Sequence, residues 1–293
     1  MLLAIGVLAY LGYTYASVSS KLAPEPEERE RIAEVLDNPP HRPSGPTGPE
    51  FTYILLLGND SRSVHSQART DTIILARLSK SDGSVALLSI PRDTRTEVPG
   101  HGVTKINHAG AYGGVPLAIE TVKRFTGLPV DHYVQVNFRG FKTIVDMLGG
   151  VDMYVDRPVD YGQGIVVDTG MQHLNGTQAL AVVRNRKAYP EGDFARVRNQ
   201  RAFLAAVARK ALTTGQLTSL PGILAETSDN IDTDLSIAEI TSIARRYGRA
   251  LQEDAPGYTV PGSTATLGGV SYVIPDDDAA SALFEAIGRG ETP

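Results

Sequence analysis

Cysteine is absent from this chain of 293 residues. That absence removes disulfides, thiolate catalysis, iron–sulfur clusters and cysteine-built zinc sites from consideration. An excess of positive charge is lacking too: 28 lysines and arginines face 33 aspartates and glutamates, a formal net charge of −5. General nucleic-acid binders rest their affinity on a basic face, so nucleic acid is not an expected partner. The 6 histidines (His41, His65, His101, His108, His132 and His173) show no metal-ligand spacing. The glycine-containing turn at residues 110–114 lacks the lysine and serine of a phosphate-binding loop. What is present in ordinary amount is apolar residue, 42% of the sequence, which suffices for a sizeable core.

The apolar run at the start, residues 1–18 (MLLAIGVLAYLGYTYASV), carries no charge. With Ser19 and Ser20 it reaches roughly the 20 residues, about 30 Å of helix, that cross a bilayer. Tyr10, Tyr13 and Tyr15 cluster near its far end, as interfacial aromatics do. Small residues around Ala16 and Ser17 fit a cleaved signal peptide as well, although no positive flank precedes the run. The run exceeds a usual signal core, so residues 1–20 are expected to form a retained transmembrane anchor. Residues 21–50 are expected to be a linker rich in proline and glutamate. Its charge-dense part, 25–36, predicts a short solvated helix, and 37–49 (DNPPHRPSGPTGP) reads as a stiff spacer.

A folded domain is expected from Phe51. The continuous apolar run 53–57 (YILLL) ends at Gly58 and marks a buried central strand. Residues 71–78 and 84–90 predict two more strands around the turn signal 79–83. If these pair as a hairpin, Asp71 lies beside Pro91 and Arg92. Asp60 reaches the same rim if its strand runs antiparallel to that of Asp71. Helices are predicted over 116–125, with Pro116 in the first turn, and over 138–148, stopped by Gly149 and Gly150. Strands are expected at 130–137 and 151–155, and a helix capped by Asn175 runs to Arg184. A last helix spans Asp193 to about Leu212. At about 100° per residue, Val197, Leu204, Val207, Ala208 and Ala211 share its core face with Asp193, Arg196 and Gln200, while Arg198 and Arg209 point away. The alternation predicts a three-layer α/β/α domain, a mixed central sheet flanked by helices, plus the N-terminal transmembrane helix.

Arginine–aspartate clusters recur where these elements meet: Gly58-Asn59-Asp60-Ser61-Arg62 with Arg69-Thr70-Asp71, Ile90-Pro91-Arg92-Asp93, and Arg184-Asn185-Arg186 followed by Gly192-Asp193-Phe194-Ala195-Arg196. Guanidinium forks recognise phosphate, and a carboxylate pair holds a hard divalent cation. Together they point to a site for a pyrophosphate and its metal. For Arg196 the competing reading is an ion pair with Asp193 at i, i+3 that staples the helix start.

These clusters, with Leu88-Ser89, Lys105-Ile106-Asn107, Val136-Asn137-Phe138, Leu148-Gly149-Gly150-Val151-Asp152 and Leu174-Asn175-Gly176-Thr177-Gln178-Ala179-Leu180, resemble in order the motifs of the LytR–CpsA–Psr family. The resemblance covers about residues 51–215, the expected core. Pro261-Gly262 and residues 269–275 resemble the tail of longer members, so the whole domain is expected over 51–290, with 216–290 as a C-terminal extension. The resemblance implies a single-pass, membrane-anchored, extracytoplasmic enzyme of the bacterial envelope. Such an enzyme moves a glycopolymer from a polyprenyl-pyrophosphate carrier to peptidoglycan with Mg2+ or Mn2+. By motif position Asp60 and Asp71 resemble the metal carboxylates, and Arg62, Arg92, Arg184, Arg186 and Arg196 the pyrophosphate-binding arginines. Arg92 and Asp93 are the candidate catalytic pair, Asp93 serving as a base or as a salt-bridge partner of Arg92. Members often carry an arginine just before the last-motif glutamine; Asn199 stands there in this chain, so no role passes to Arg198 or Arg201. Two alternatives share the site: a polyprenyl-pyrophosphate phosphatase with water as acceptor, and a non-catalytic regulator that only binds lipid-linked polymer.

Overall fold

The apolar run that ends at Gly58 lies inside a six-stranded sheet, and its two sides feed two different cores. Tyr53, Leu55 and Leu57 pack into one buried cluster, Ile54 into another. The computed structural model describes residues 21–24, 26–37, 51–61, 63–64, 66–162, 164–185, 193–213, 219–253 and 255–291. In chain order these form α1 (Pro26–Asp37), β1 (Phe51–Asn59), β2 (Thr70–Ser79), β3 (Val85–Ser89), β4 (Arg95–Val98), β5 (Gly102–Lys105), α2 (His108–Thr126), β6 (His132–Asn137) and α3 (Phe138–Met147). Then come β7 (Val151–Val155), β8 (Val159–Gly162), β9 (Ile165–Val167), β10 (Gly170–Leu174), α4 (Gly176–Arg184), α5 (Asp193–Thr213) and α6 (Leu220–Thr227). The chain continues through β11 (Ile231–Thr233), α7 (Ile237–Gln252), β12 (Gly257–Thr259), β13 (Gly262–Leu267), β14 (Val270–Pro275) and α8 (Asp277–Arg289).

The sheet order is β11-β6-β1-β2-β3-β12. The neighbours of β1 show its mixed character: β2 runs antiparallel to it and β6 parallel. One face is covered by α2 and α8, whose Ile119, Val122, Phe284 and Ile287 join the cluster of Leu55 and Leu75. The other face carries α7 and part of α5, through Tyr247, Ile240 and Leu204. This is the layered mixed-sheet fold that the alternation predicts. A second core beside the sheet joins the β7–β10 pair and the β8–β9 hairpin to α3, α4 and α5.

Two elements depart from expectation. The charge-dense helix α1 is not solvated all round: Ile32 is 1% exposed and sits in the main core, with Val35 and Leu36 packed beside it. Buried Lys123 of α2 donates to the Val35 carbonyl in the last turn of α1, and burial holds its ammonium below the ordinary lysine range. The expected start at Pro116 matches the second of two helical pieces in α2. Gly113 and Gly114 leave helical geometry, Gly114 with φ 67°, where a side chain would be strained, and an extra turn from His108 precedes them. The predicted anchor over 1–20 and residues 38–49 of the predicted spacer lie outside the described residues, while Asp37, expected to open the spacer, is the last residue of α1. Among the described residues no helix is long and apolar enough to cross a membrane.

Candidate active site

Strand register brings the first two clusters together. Gly58 pairs with Thr72 and Asn59 with Thr70, so Asp71 is the extra residue of a β-bulge on β2. Bulges re-aim a side chain, and this one belongs to a carboxylate that lines a cavity. A Cβ at Gly58 would come to 3.0 Å from Thr72 Cβ, so the close pairing beside the bulge is made for glycine. Ile74 pairs with Ser89 across the hairpin, which returns Pro91 and Arg92 to the start of β2. Arg92 Nη1 there donates to Asp71 Oδ1.

Arg92 is fixed from behind. Asp93 Oδ2 lies 3.7 Å from Arg92 Nε, and Lys105 Nζ donates to Asp93 Oδ1 at 2.9 Å. The main chain is pinned as well: Asn107 N–H donates to the Arg92 carbonyl at 3.2 Å, and Val273 N–H to that of Asp93 at 2.9 Å. The C-terminal β13–β14 hairpin thus braces the turn that carries Arg92. Asp93 is held between two cations and is not among the cavity-lining residues. Of the two roles open to it, the geometry displays the salt bridge.

The third cluster arrives on two helices. A reciprocal capping box between Asn175 and Gln178 starts α4, and Arg184 is its last residue. The Arg184 guanidinium stacks 4.2 Å from the Phe138 ring centroid and donates to the Tyr161 hydroxyl. Arg196, 4% exposed, lies in the first turn of α5 and lines the same cavity as Asp71 and Arg92. One turn on, Gln200 donates to Thr72 Oγ1 at 2.8 Å and ties α5 to β2. Asn199 reaches the Val182 carbonyl of α4 at 3.4 Å, Arg198 is exposed, and Arg201 bonds Thr259 at 3.2 Å near β12. The side chain of Asp193, and with it the staple reading for Arg196, lies outside what is described. So do Arg62 and Arg186.

The cavity measures about 360 Å³. Asp71, Arg92, Arg184 and Arg196 supply its charged lining; Val134 and Val136 of β6, Phe141 and Ile144 of α3, and Phe203 and Val207 of α5 supply apolar wall. A cationic cluster over an apolar pocket suits an amphiphile with an anionic head and a hydrocarbon tail. Sequence reasoning missed Tyr161 and Phe138 as site residues. Tyr161 carries no motif, and its value depends on a contact 23 residues away in sequence.

Among the described residues no group of three or more histidines, aspartates or glutamates gathers as a protein-only metal cage. Asp60, exposed and one residue past β1, stands at the same end of the β1–β2 pair as Asp71. Asp71 commits Oδ1 to Arg92. Two hard carboxylates on one rim fit Mg2+, which keeps waters and takes its other ligands from substrate phosphate.

The profile of the LytR_cpsA_psr family matches residues 12–288. The chain belongs to that family. Among its relatives is the polyisoprenyl-teichoic acid--peptidoglycan teichoic acid transferase TagU of Bacillus mycoides, 35% identical over 279 residues, 94% of this chain and 89% of the relative. The TagU of Halalkalibacterium halodurans is 36% identical over 231 residues, 78% of this chain and 75% of the relative. The crystal structure of B. subtilis TagV superposes with a TM-score of 0.73 at 30% identity, covering 84% of this chain and all (100%) of that one. A structure of TagT bound to LI-WTA matches with a TM-score of 0.66 at 28% identity, covering 82% of this chain and 91% of the other. The LytR_cpsA_psr motifs on which the resemblance rests therefore sit on the fold of solved relatives.

Proposed function

We propose that this protein is a phosphotransferase that moves a glycopolymer of the teichoic-acid type from a polyprenyl-pyrophosphate carrier onto peptidoglycan. The observation that carries the reading is the joining of an apolar cavity to a charged head site formed by Asp71, Arg92, Arg184 and Arg196. The names of its transferase relatives support the same reading.

In this reading the polyprenyl chain fills the apolar cavity and delivers the pyrophosphate to the arginines. Arg92, braced by Asp93 and Lys105, and Arg196, itself buried on α5, meet phosphate oxygens without reorganising. Arg184 has its flat face on Phe138 and its edge on Tyr161, which leaves the guanidinium oriented for a second bidentate contact. A hydroxyl of the glycan acceptor forms a bond to the sugar-proximal phosphorus. The bridging phosphorus–oxygen bond breaks, and polyprenyl phosphate leaves carrying the hydroxyl's proton. The arginines neutralise the charge that builds on the departing phosphate. Asp60 and Asp71 would hold Mg2+ or Mn2+, which when bound offsets further phosphate charge.

The protein is placed in this reading at the cell membrane, with its catalytic domain outside the cytoplasm and residues 1–20 as anchor. Leu22, just after that run, is 0% exposed and clusters with Leu224 and Ile237 against Val134, Val136 and Ile144. Those last three residues also line the cavity, so the chain enters the domain next to the lipid site.

The test is incubation of the full chain with a polyprenyl-pyrophosphate-linked teichoic acid precursor, with and without peptidoglycan. Polymer covalently joined to peptidoglycan, with polyprenyl phosphate released in equal amount, is the expected product. Release of polymer phosphate at the same rate without acceptor would make it a phosphatase. Binding with no turnover would make it a regulator.

A further inference from the structure

A cavity takes the donor's tail and arginines its pyrophosphate; the sugar on the pyrophosphate must emerge on the water side of both. Tyr161 stands at that exit. Among the described residues that line the cavity only Tyr161 is exposed, at 41%, so it marks the opening. Its hydroxyl accepts from Arg184, which puts the opening at the charged end of the cavity. Phe138 already takes the flat face of that guanidinium at 4.2 Å, and the Tyr161 ring centroid lies farther off, at 5.9 Å, with its surface turned partly to water.

The backbone fixes this ring in place. Asp160 pairs with Val166 and Gly162 with Ile165, so Tyr161 is the extra residue of a bulge in the β8–β9 hairpin. A bulge re-aims the side chain it carries, as at Asp71. Gly162 follows at φ 80°, and its N–H donates to Asp160 Oδ1 at 2.9 Å, which sets the turn. Val159 and Val167 bury the base of the hairpin in the second core. Tyr161 is thus held by that core through its strand and by Arg184 through its hydroxyl, while the ring itself stays open to solvent.

We propose that the Tyr161 ring seats the first sugar of the donor, the one bonded to the pyrophosphate. The proposal rests on the transferase reading above. The C–H face of a pyranose is apolar and flat, and it packs on an aromatic ring while the sugar's hydroxyls stay in water. Tyrosine offers that area with little rotamer entropy to lose, and the bond to Arg184 lowers the ordering cost further. The covalent order of the donor favours its own sugar as occupant. With the tail in the apolar cavity and the pyrophosphate on Arg184, the sugar hangs from a group that Tyr161's own partner holds. Tyr161 is then a specificity residue, separating glycosylated carrier from bare polyprenyl pyrophosphate.

The test measures binding of two short-chain ligands to the full chain: farnesyl pyrophosphate, and the same lipid with one N-acetylglucosamine on its pyrophosphate. The variants are Tyr161→Phe and Tyr161→Leu, with melting temperature as the check on folding. Tyr161→Phe loses only the bond to Arg184 and should weaken both ligands by the same factor, so the ratio of the two affinities stays at the parent's value. Tyr161→Leu loses the ring as well and should weaken the sugar-bearing ligand by about a further tenfold. The KM for peptidoglycan should be unchanged in both variants. The ratio decides even where no transfer is seen. A parental ratio in Tyr161→Leu, from a parent that transfers, would overturn the sugar seat and leave the transferase reading standing. A parental ratio joined to a raised KM for peptidoglycan would assign the ring to the acceptor and sink the proposal equally. A parent that binds neither lipid would remove both readings.

Discussion

Arg92 donates a hydrogen bond to Asp71 across 21 residues of chain, from the far arm of the β2–β3 hairpin to a bulge at the start of its near arm. The pair sets the spacing of the head site. A carboxylate and a guanidinium are held together at the cavity, each with further capacity for a phosphate or its cation. The bulge turns Asp71 toward the pocket, and the Asp93–Lys105 pair steadies Arg92 from the other side.

Replacing Asp71 by asparagine keeps the shape and removes the charge. Its side chain is 16% exposed at the rim of the cavity, so the fold should survive with little change in melting temperature. Transfer should fall by about 10²-fold or more, the scale seen when one preorganised electrostatic group is lost. Chelation should abolish the parent activity and added Mg2+ or Mn2+ restore it, while Asp60→Asn should raise the metal concentration needed for half-maximal rate. Activity indifferent to a chelator would rule out the metal assignment.

Tyr161 offers a sharper probe of Arg184, because Tyr161→Phe deletes one hydroxyl and keeps the ring. Hydrogen bonds from charged donors are worth about 1.5–3 kcal/mol, and this one is partly open to water, so the lower end applies. About a tenfold loss in kcat/KM for the lipid-linked donor is expected, with the acceptor KM unchanged. An unaltered donor kcat/KM would mean that Phe138 alone orients the guanidinium.

The site was legible in the sequence where chemistry follows local pattern. The run 53–57, the turn 79–83 and the strands beside it bring Asp71 to Arg92 by hairpin geometry alone. The phase of α5 correctly turned Arg196 and Gln200 inward and Arg198 outward. The same periodicity left Phe203, Ala206 and Asn199 off the core face, because it assumes one buried stripe. In the fold α5 is wedged between two cores, with Phe203 in one and Leu204 in the other. Tyr161 was out of reach because its partner sits on a helix whose position depends on the second core. Helix α1 read as solvated because its charges outnumber its apolar residues, yet a stripe of Ile32, Val35 and Leu36 is enough to seat it.

The apolar wall can be tested apart from the charged head. Val207 lines the cavity from α5, and Val207→Trp would place a bulky ring where the polyprenyl chain is expected to lie. Val207 is partly buried at the wall of an open cavity, where overpacking costs less than in a closed core, so the variant should fold. The KM for a long-chain donor should rise at least about tenfold, whereas a short-chain analogue with the same pyrophosphate head should be affected far less. Equal losses for both chain lengths would place the tail elsewhere.

Stability should carry its own pH signature through His132 and Asp234, which join β6 to the end of β11. His132 Nδ1 lies 2.6 Å from Asp234 Oδ2, and Asp234 Oδ1 also accepts from Tyr133 N–H at 2.9 Å. The bond to Asp234 raises the His132 pKa above its ordinary value; Asp131 and Glu239 add in the same direction and burial opposes them. A raised folded pKa means that the stabilisation is fully present below the unfolded value of about 6.5 and fades as pH climbs through the folded one. His132→Gln should therefore melt below the parent at pH 6, and the gap should narrow by pH 9. Both side chains are partly exposed, so the pair contributes no more than about 1 kcal/mol, or roughly 2–4 °C in melting temperature for a domain of this size. Thermal melts of both proteins at the two pH values decide the matter, since a gap that is the same at pH 6 and pH 9 would show that the ion pair adds nothing beyond its neutral hydrogen bond.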